Sequence, residues 1–76
     1  MTRDEWIARF AEAAGTPPPS AEEIDGLLKL AGIAAHASER TAAPLSCWMA
    51  ASSGLSLAEL LQAAERLASE SGAESA

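Results

Sequence analysis

The chain has 76 residues, of which 49% are apolar and 4% aromatic, and its formal net charge at pH 7 is −6. This length suits one small domain, and 19 Ala and 9 Leu without any Val or Tyr exclude a β-sheet domain. The acidic charge argues against nucleic acids and anionic membranes as partners, and a single Cys excludes an internal disulfide.

Three positions carry the capping-box pattern, in which a hydroxyl side chain is followed three residues later by Glu. These pairs are Thr2 with Glu5, Ser20 with Glu23, and Ser56 with Glu59. Each pair precedes a helical apolar pattern, so each predicts the start of a helix.

The first helix is predicted over Arg3–Ala14, with Trp6 and Phe10 on an apolar arc that faces the core. Gly15 is a typical helix stop. Residues 16–19, Thr-Pro-Pro-Pro, form a stiff connector that is too short to separate two domains.

The second helix is predicted to run from after Ser20 to about Ser38. Its apolar side is about 220° wide, more than one neighbouring helix covers, so this helix should be the central element. Gly26 and Gly32 interrupt it, either weakening the helix or allowing a neighbour to approach closely.

The third helix is predicted to begin near Thr41, which can act as its N-cap, and to end at Gly54. The fourth helix follows Ser56, and its Leu and Ala residues lie on one face. From about Ser69 the composition predicts a frayed or disordered tail.

Four short helices predict a single all-α domain over residues 1–76, a compact antiparallel bundle. The core is thin for a chain of this length, so a homodimer or docking to a protein partner is plausible. The residues expected in the core are Trp6, Phe10, Ile24, Leu28, Trp48 and Leu61.

A polar row near the end of the second helix is the candidate ligand site. His36 and Arg40 precede the predicted start of the third helix, where Thr41 and Ser46 follow. Cations beside an open helix N-terminus can bind a small anion such as phosphate. The alternative is structural: the cations satisfy the last carbonyls of the second helix, and His36 bonds to the next helix.

No catalytic or metal-binding pattern occurs in the sequence. His36 is the only His, Cys47 is expected to be a buried inert thiol, and no acid or oxyanion loop accompanies Ser46. The third helix holds no Arg, Lys, Asn or Gln with which to contact DNA. We therefore expect a cytoplasmic, non-enzymatic protein without a cofactor, a metal, a nucleic-acid partner or a membrane span.

Residues 41–58 carry no charge, although charged residues make up 21% of the chain. Within this segment Leu45, Trp48, Met49 and Ser52 recur at helical spacing. This stripe is either buried in the core or forms a protein interface, for which Trp and Met are favoured residue types. The candidate interface residues are Leu45, Trp48 and Met49.

The segment from Leu27 to Ser46 contains a helix that ends in Ala-His, then Arg four residues later, then Ala-Ala-Pro-Leu-Ser. With Trp6-Ile7, it resembles an actinobacterial-type small helical domain of unknown function that occurs alone or at the C-terminus of molybdenum-cofactor guanylyltransferases. The resemblance implies a role in molybdenum-cofactor biosynthesis, by docking to an enzyme of that pathway. Guanylyl transfer is not implied, because this chain lacks a Gly-rich nucleotide loop, and residues 46–49 depart from the pattern.

The expected function is therefore that of a non-catalytic helical protein-interaction module that is accessory to molybdenum-cofactor biosynthesis. The alternative is a module that binds a small anion or phosphate through Arg40 and His36.

Overall fold

The computed structural model describes residues 1–70 and contains four α-helices. They are α1 (Arg3–Ala14), α2 (Ala21–Ala37), α3 (Ala42–Ser53) and α4 (Leu57–Glu70). Strands are absent from the described residues, and the helices form a small all-α bundle, as the composition predicts. The helix α4 extends to Glu70, and the rest of the tail predicted from about Ser69 lies outside the described residues.

All three predicted capping boxes form. The Glu5 N–H donates to Thr2 Oγ1 at 3.1 Å, and the Thr2 N–H donates to Glu5 Oε1 at 3.2 Å. The reciprocal bonds join Ser20 with Glu23 and Ser56 with Glu59. These bonds satisfy N–H groups that a helix start otherwise leaves unpaired, so the starts of α1, α2 and α4 are set locally.

Two glycines end helices as predicted. Gly15 follows α1 with φ of 72°, and Gly54 follows α3 with φ of 77°, the left-handed region that side chains with a Cβ avoid. After α1 the Thr16 N–H donates to the Ala11 carbonyl at 2.9 Å and the Gly15 N–H to the Glu12 carbonyl at 3.2 Å. This is the Schellman pattern, and it turns the chain into the proline connector.

The wide apolar side of α2 makes it the central helix, as predicted, because α3 and α4 both pack against it. Gly26 faces α4: a Cβ at this position would lie 2.8 Å from Cδ1 of Leu57. Leu27 faces α3, since its carbonyl oxygen lies 4.0 Å from Sγ of Cys47. Leu30 lies between these two directions on a helical wheel and is 6% exposed. The absence of a side chain at Gly26 therefore allows α4 to lie close to α2.

The buried core of the described residues is smaller than the predicted one. It consists of Leu30 and three alanines, Ala11, Ala50 and Ala68. Ile24 and Leu61 are half-buried. The prediction of a core position is wrong for four of the six expected residues, whose exposed fractions are 58% for Trp6, 57% for Phe10, 55% for Leu28 and 75% for Trp48.

The four wrong assignments have physical reasons that differ between helices: α1 takes no part in the close helix packings, and α2 and α3 pack through a narrower or rotated side. On α1 the less exposed positions are Ile7 and Ala11, about 100° round the helix from Trp6 and Phe10. Leu28 lies at the edge of the apolar side of α2, farther round the helix from buried Leu30 than Leu27 is. The helices α2, α3 and α4 form the close packings, and α1 takes part in neither of them.

Candidate functional site

The helix α3 packs with its small side chains and leaves its large apolar side chains outside. Ala43, Ser46 and Cys47 are half-buried, and Ala50 is 8% exposed. These residues lie on one side of the helix, opposite the predicted stripe. Small side chains let α3 lie close against α2, as the 4.0 Å distance from Cys47 Sγ to the Leu27 carbonyl oxygen shows.

The opposite side of α3, which we call the outer α3 face, consists of Leu45, Trp48, Met49 and Ser52. The exposed fractions are 64% for Leu45, 75% for Trp48 and 63% for Met49. Ser52 is also exposed, and its hydroxyl donates to the Trp48 carbonyl at 3.2 Å. Three adjacent large apolar side chains on one turn of a surface helix form the kind of patch that marks an interaction site.

The outer α3 face lies in the uncharged segment of residues 41–58. The nearest charged residues in the chain are Arg40 on one side and Glu59 on the other. A protein with a net charge of −6 thus presents one apolar surface without a carboxylate of its own helix. Charge depletion of this kind is typical of the centre of a protein interface.

The predicted anion site lacks the backbone donors on which its chemistry depends. The Ala42 N–H donates to the Glu39 carbonyl at 2.9 Å, and the Ala43 N–H donates to the Arg40 carbonyl at 3.1 Å. Pro44 has no N–H. Because these are the first three positions of α3, its N-terminus offers no free donors at the positions where anions bind helices.

Thr41 does not cap α3. Its backbone is helical, with φ of −68° and ψ of −15°, and its side chain makes no capping hydrogen bond. A capping side chain requires an extended backbone at this position, as Thr2 and Ser20 have. The prediction that Thr41 is the side-chain cap is therefore wrong.

The structural role predicted for the two cations is not found either. The Ala34 carbonyl near the end of α2 accepts bonds from the Ser38 N–H at 3.1 Å and the Ser38 hydroxyl at 2.7 Å. His36 and Arg40 are exposed, and neither side chain has a hydrogen-bond or ion-pair partner within residues 1–70. Ser38, and neither His36 nor Arg40, satisfies the Ala34 carbonyl.

In the described part of the chain neither Cys47 nor Ser46 shares a hydrogen bond with His36. Cys47 is a half-buried free thiol on the side of α3 that packs against α2. Ser46 lies on the same half-buried side, whereas His36 is exposed. No group of three His, Cys, Asp or Glu side chains among residues 1–70 could hold a metal ion, and none of the four helices is long and apolar enough to span a membrane.

Two further apolar features were missed from the sequence. The rings of Trp6 and Phe10 stack with centroids 5.8 Å apart on the exposed side of α1. The connector borders an open groove of about 660 Å³, whose other walls include Leu27, Leu55 and Leu60. The three consecutive prolines were a usable signal for the groove, because a stiff extended segment cannot fold down to fill it.

Searches of curated proteins and of solved structures return no match to this chain. A family model does match, and its description is "Domain of unknown function (DUF6457)". The match extends over residues 1–76 and so includes all four helices and the outer α3 face. The chain therefore belongs to the DUF6457 family.

Proposed function

We propose that this protein is a non-catalytic helical module that associates with protein through the outer α3 face. The observation that carries the proposal is the orientation of α3, which buries Ala50 and exposes Leu45, Trp48 and Met49. In the opposite orientation the helix would have placed its large side chains in the core, where they would gain more from burial. An apolar stripe held in water gains that free energy when a partner covers it.

The partner class is a protein rather than a small anion. The first N–H groups of α3 are occupied or missing, which removes half of the predicted anion site. Trp and Met are enriched at the centres of protein interfaces, and truncating a central Trp commonly weakens binding strongly. The resemblance of the segment between Leu27 and Ser46 to a domain of molybdenum-cofactor guanylyltransferases supports molybdenum-cofactor biosynthesis as the process in which the module acts.

Affinity capture with matched variants tests this function. Tagged wild type, Trp48→Ser and Leu67→Ser are used to capture proteins from native-host lysate, which mass spectrometry then identifies. Leu67 is the control, because it is a large apolar residue that is 66% exposed on a different helix, α4. We expect proteins that wild type and Leu67→Ser retain and Trp48→Ser loses, with a molybdenum-cofactor enzyme or native untagged copies of this chain among them.

Circular dichroism first establishes that the three proteins have equal helical content, so that a loss of binding is not a loss of fold. Equal capture by Trp48→Ser and wild type would contradict the proposed function, because association would then not use the outer α3 face. Equal loss in both variants would also contradict it, since the effect would then follow exposed apolar area in general.

A further inference from the structure

We infer that the outer α3 face is occupied by a second copy of this chain, with the two α3 helices packed antiparallel about a two-fold axis. This inference rests on the proposed function, because it names the partner of the same surface. It is carried by the charge, the residue spacing and the apolar area of the face.

Charge favours a second copy over a basic partner. Long-range attraction to a protein with a net charge of −6 brings a basic partner towards its carboxylates. Residues 41–58 contain no carboxylate, so the outer α3 face offers such a partner no ion pair. Two identical acidic chains repel each other elsewhere, and this uncharged segment is where they can meet without opposing like charges.

The residue spacing is self-complementary in the antiparallel direction. An axis that passes between Trp48 and Met49 sets the two Trp48 side chains against each other on one side of the pair and the two Met49 side chains against each other on the other side. It also sets Leu45 opposite Ser52 of the second copy, so a large side chain meets a small one at both ends. An isologous interface requires this self-matching, and contact between two aromatic rings is favourable.

The area is sufficient for a weak dimer. Burying an aromatic side chain removes about 150–250 Å² from water, and Leu45 and Met49 are about two-thirds exposed. These three side chains together supply roughly half of the ~800 Å² per partner that a specific interface buries. Exposed Ala51, Ser52 and Pro44 flank them and extend the surface. We therefore expect a dimer that dissociates on dilution.

Cysteine cross-linking tests the register. Every variant carries Cys47→Ala, so that the native thiol cannot react. Leu45→Cys and Ser52→Cys proteins are mixed and oxidised, and the disulfide-linked products are quantified. In the antiparallel pair these two positions lie at one level, where facing Cα atoms fall within the ~4.4–6.8 Å that a disulfide requires.

The single variants distinguish the direction of pairing. Two copies of residue 45 would be about 10 Å apart along the axis of an antiparallel pair, because seven residues at 1.5 Å separate them. We expect the 45–52 product to exceed the 45–45 and 52–52 products severalfold. A Leu67→Cys variant mixed with Ser52→Cys is the control for random collision. Dominant 45–45 linkage, or 45–52 linkage no greater than the Leu67 control, would overturn the inference.

Sedimentation of the unmodified chain over a concentration series gives an independent readout. We expect a monomer–dimer equilibrium in wild type and at least about tenfold weaker association in Trp48→Ala. Wild type that stays monomeric at every concentration would overturn the inference. The proposed function would survive that result if a different protein is captured in a Trp48-dependent manner, so the two failures are distinguishable.

Discussion

Leu30 and Trp48 differ widely in burial, although both are large apolar residues on helices. Leu30 is 6% exposed, between the α3 and α4 sides of the central helix, and Trp48 is 75% exposed. The size of a side chain therefore does not predict how much each of these two residues contributes to stability. What matters is whether the side chain points between two helices or away from both.

Truncating Leu30 should lower the free energy of unfolding far more than truncating Trp48. Leu30→Ala removes a large side chain from the core and should lower the free energy of unfolding by about 2–5 kcal/mol. Trp48→Ala should change it by no more than about 0.5 kcal/mol, as is usual for surface substitutions. Urea unfolding followed by circular dichroism, at a protein concentration below dimer formation, measures both values. A loss at Trp48 as large as the loss at Leu30 would show that Trp48 is a core residue.

At the scale of the helix, the capping box of α4 alters the ionisation of its own Glu. The Ser56 N–H donates to Glu59 Oε1 at 2.9 Å, and the Glu59 N–H donates to Ser56 Oγ at 3.2 Å. The hydrogen bond that the Glu59 carboxylate accepts from the Ser56 backbone, and secondly its hydrogen bond with the Ser56 side chain, hold the pKa of Glu59 below its ordinary value of 4.5. A lowered pKa in the folded state means that the carboxylate stabilises the fold at neutral pH. This contribution is lost as the pH falls through the folded pKa.

Ser56→Ala should raise the pKa of Glu59 towards 4.5, because the box loses its side-chain partner. Carboxyl-carbon NMR titration of the folded protein measures this shift. Ser52→Ala is the matched control, since the Ser52 hydroxyl bonds to the Trp48 carbonyl and not to Glu59. An unchanged Glu59 pKa in Ser56→Ala would mean that the Ser56 side chain does not contribute to the lowering and that the backbone bond alone causes it.

The two glycines inside α2 should respond differently to Ala. A Cβ at Gly32 meets nothing within 4 Å, so Gly32→Ala should raise the free energy of unfolding by about 0.5–1 kcal/mol through helix propensity. At Gly26 the same methyl lies 2.8 Å from Leu57 Cδ1, which must move. Gly26→Ala should therefore stabilise the protein less. Thermal and urea unfolding of both variants test this order, and a larger gain at Gly26 would contradict the close packing of α4 on α2.

For the molecule as a whole, the sequence predicts the helices better than their orientation. The start of α1 at Arg3 and its end at Ala14 follow from Thr2, Glu5 and Gly15, which act within a few residues. The central position of α2 follows from the width of its apolar side. These features are local or belong to one helix, so no knowledge of neighbouring helices is needed to predict them.

The orientation of α3 could not be predicted in this way. Its stripe of Leu45, Trp48 and Met49 satisfies the spacing rule for a buried face as well as for an interface. The opposite side, with Cys47 and Ala50, packs on α2 because small side chains allow close approach, and this depends on the shape of α2. The expectation of free N–H donors near Arg40 was wrong for a similar reason. The N–H groups of Ala42 and Ala43 already donate to the carbonyls of Glu39 and Arg40.

The distribution of capping boxes has a consequence for the order of folding. Three helices begin at a reciprocal pair of hydrogen bonds that spans only three residues, so these starts can form on the timescale of helix formation, before distant parts of the chain meet. The helix α3 has no side-chain cap, and its inner side consists of small residues that gain little until α2 is present. Of the four helices, α3 should therefore be the last to form, and the outer α3 face takes shape with it.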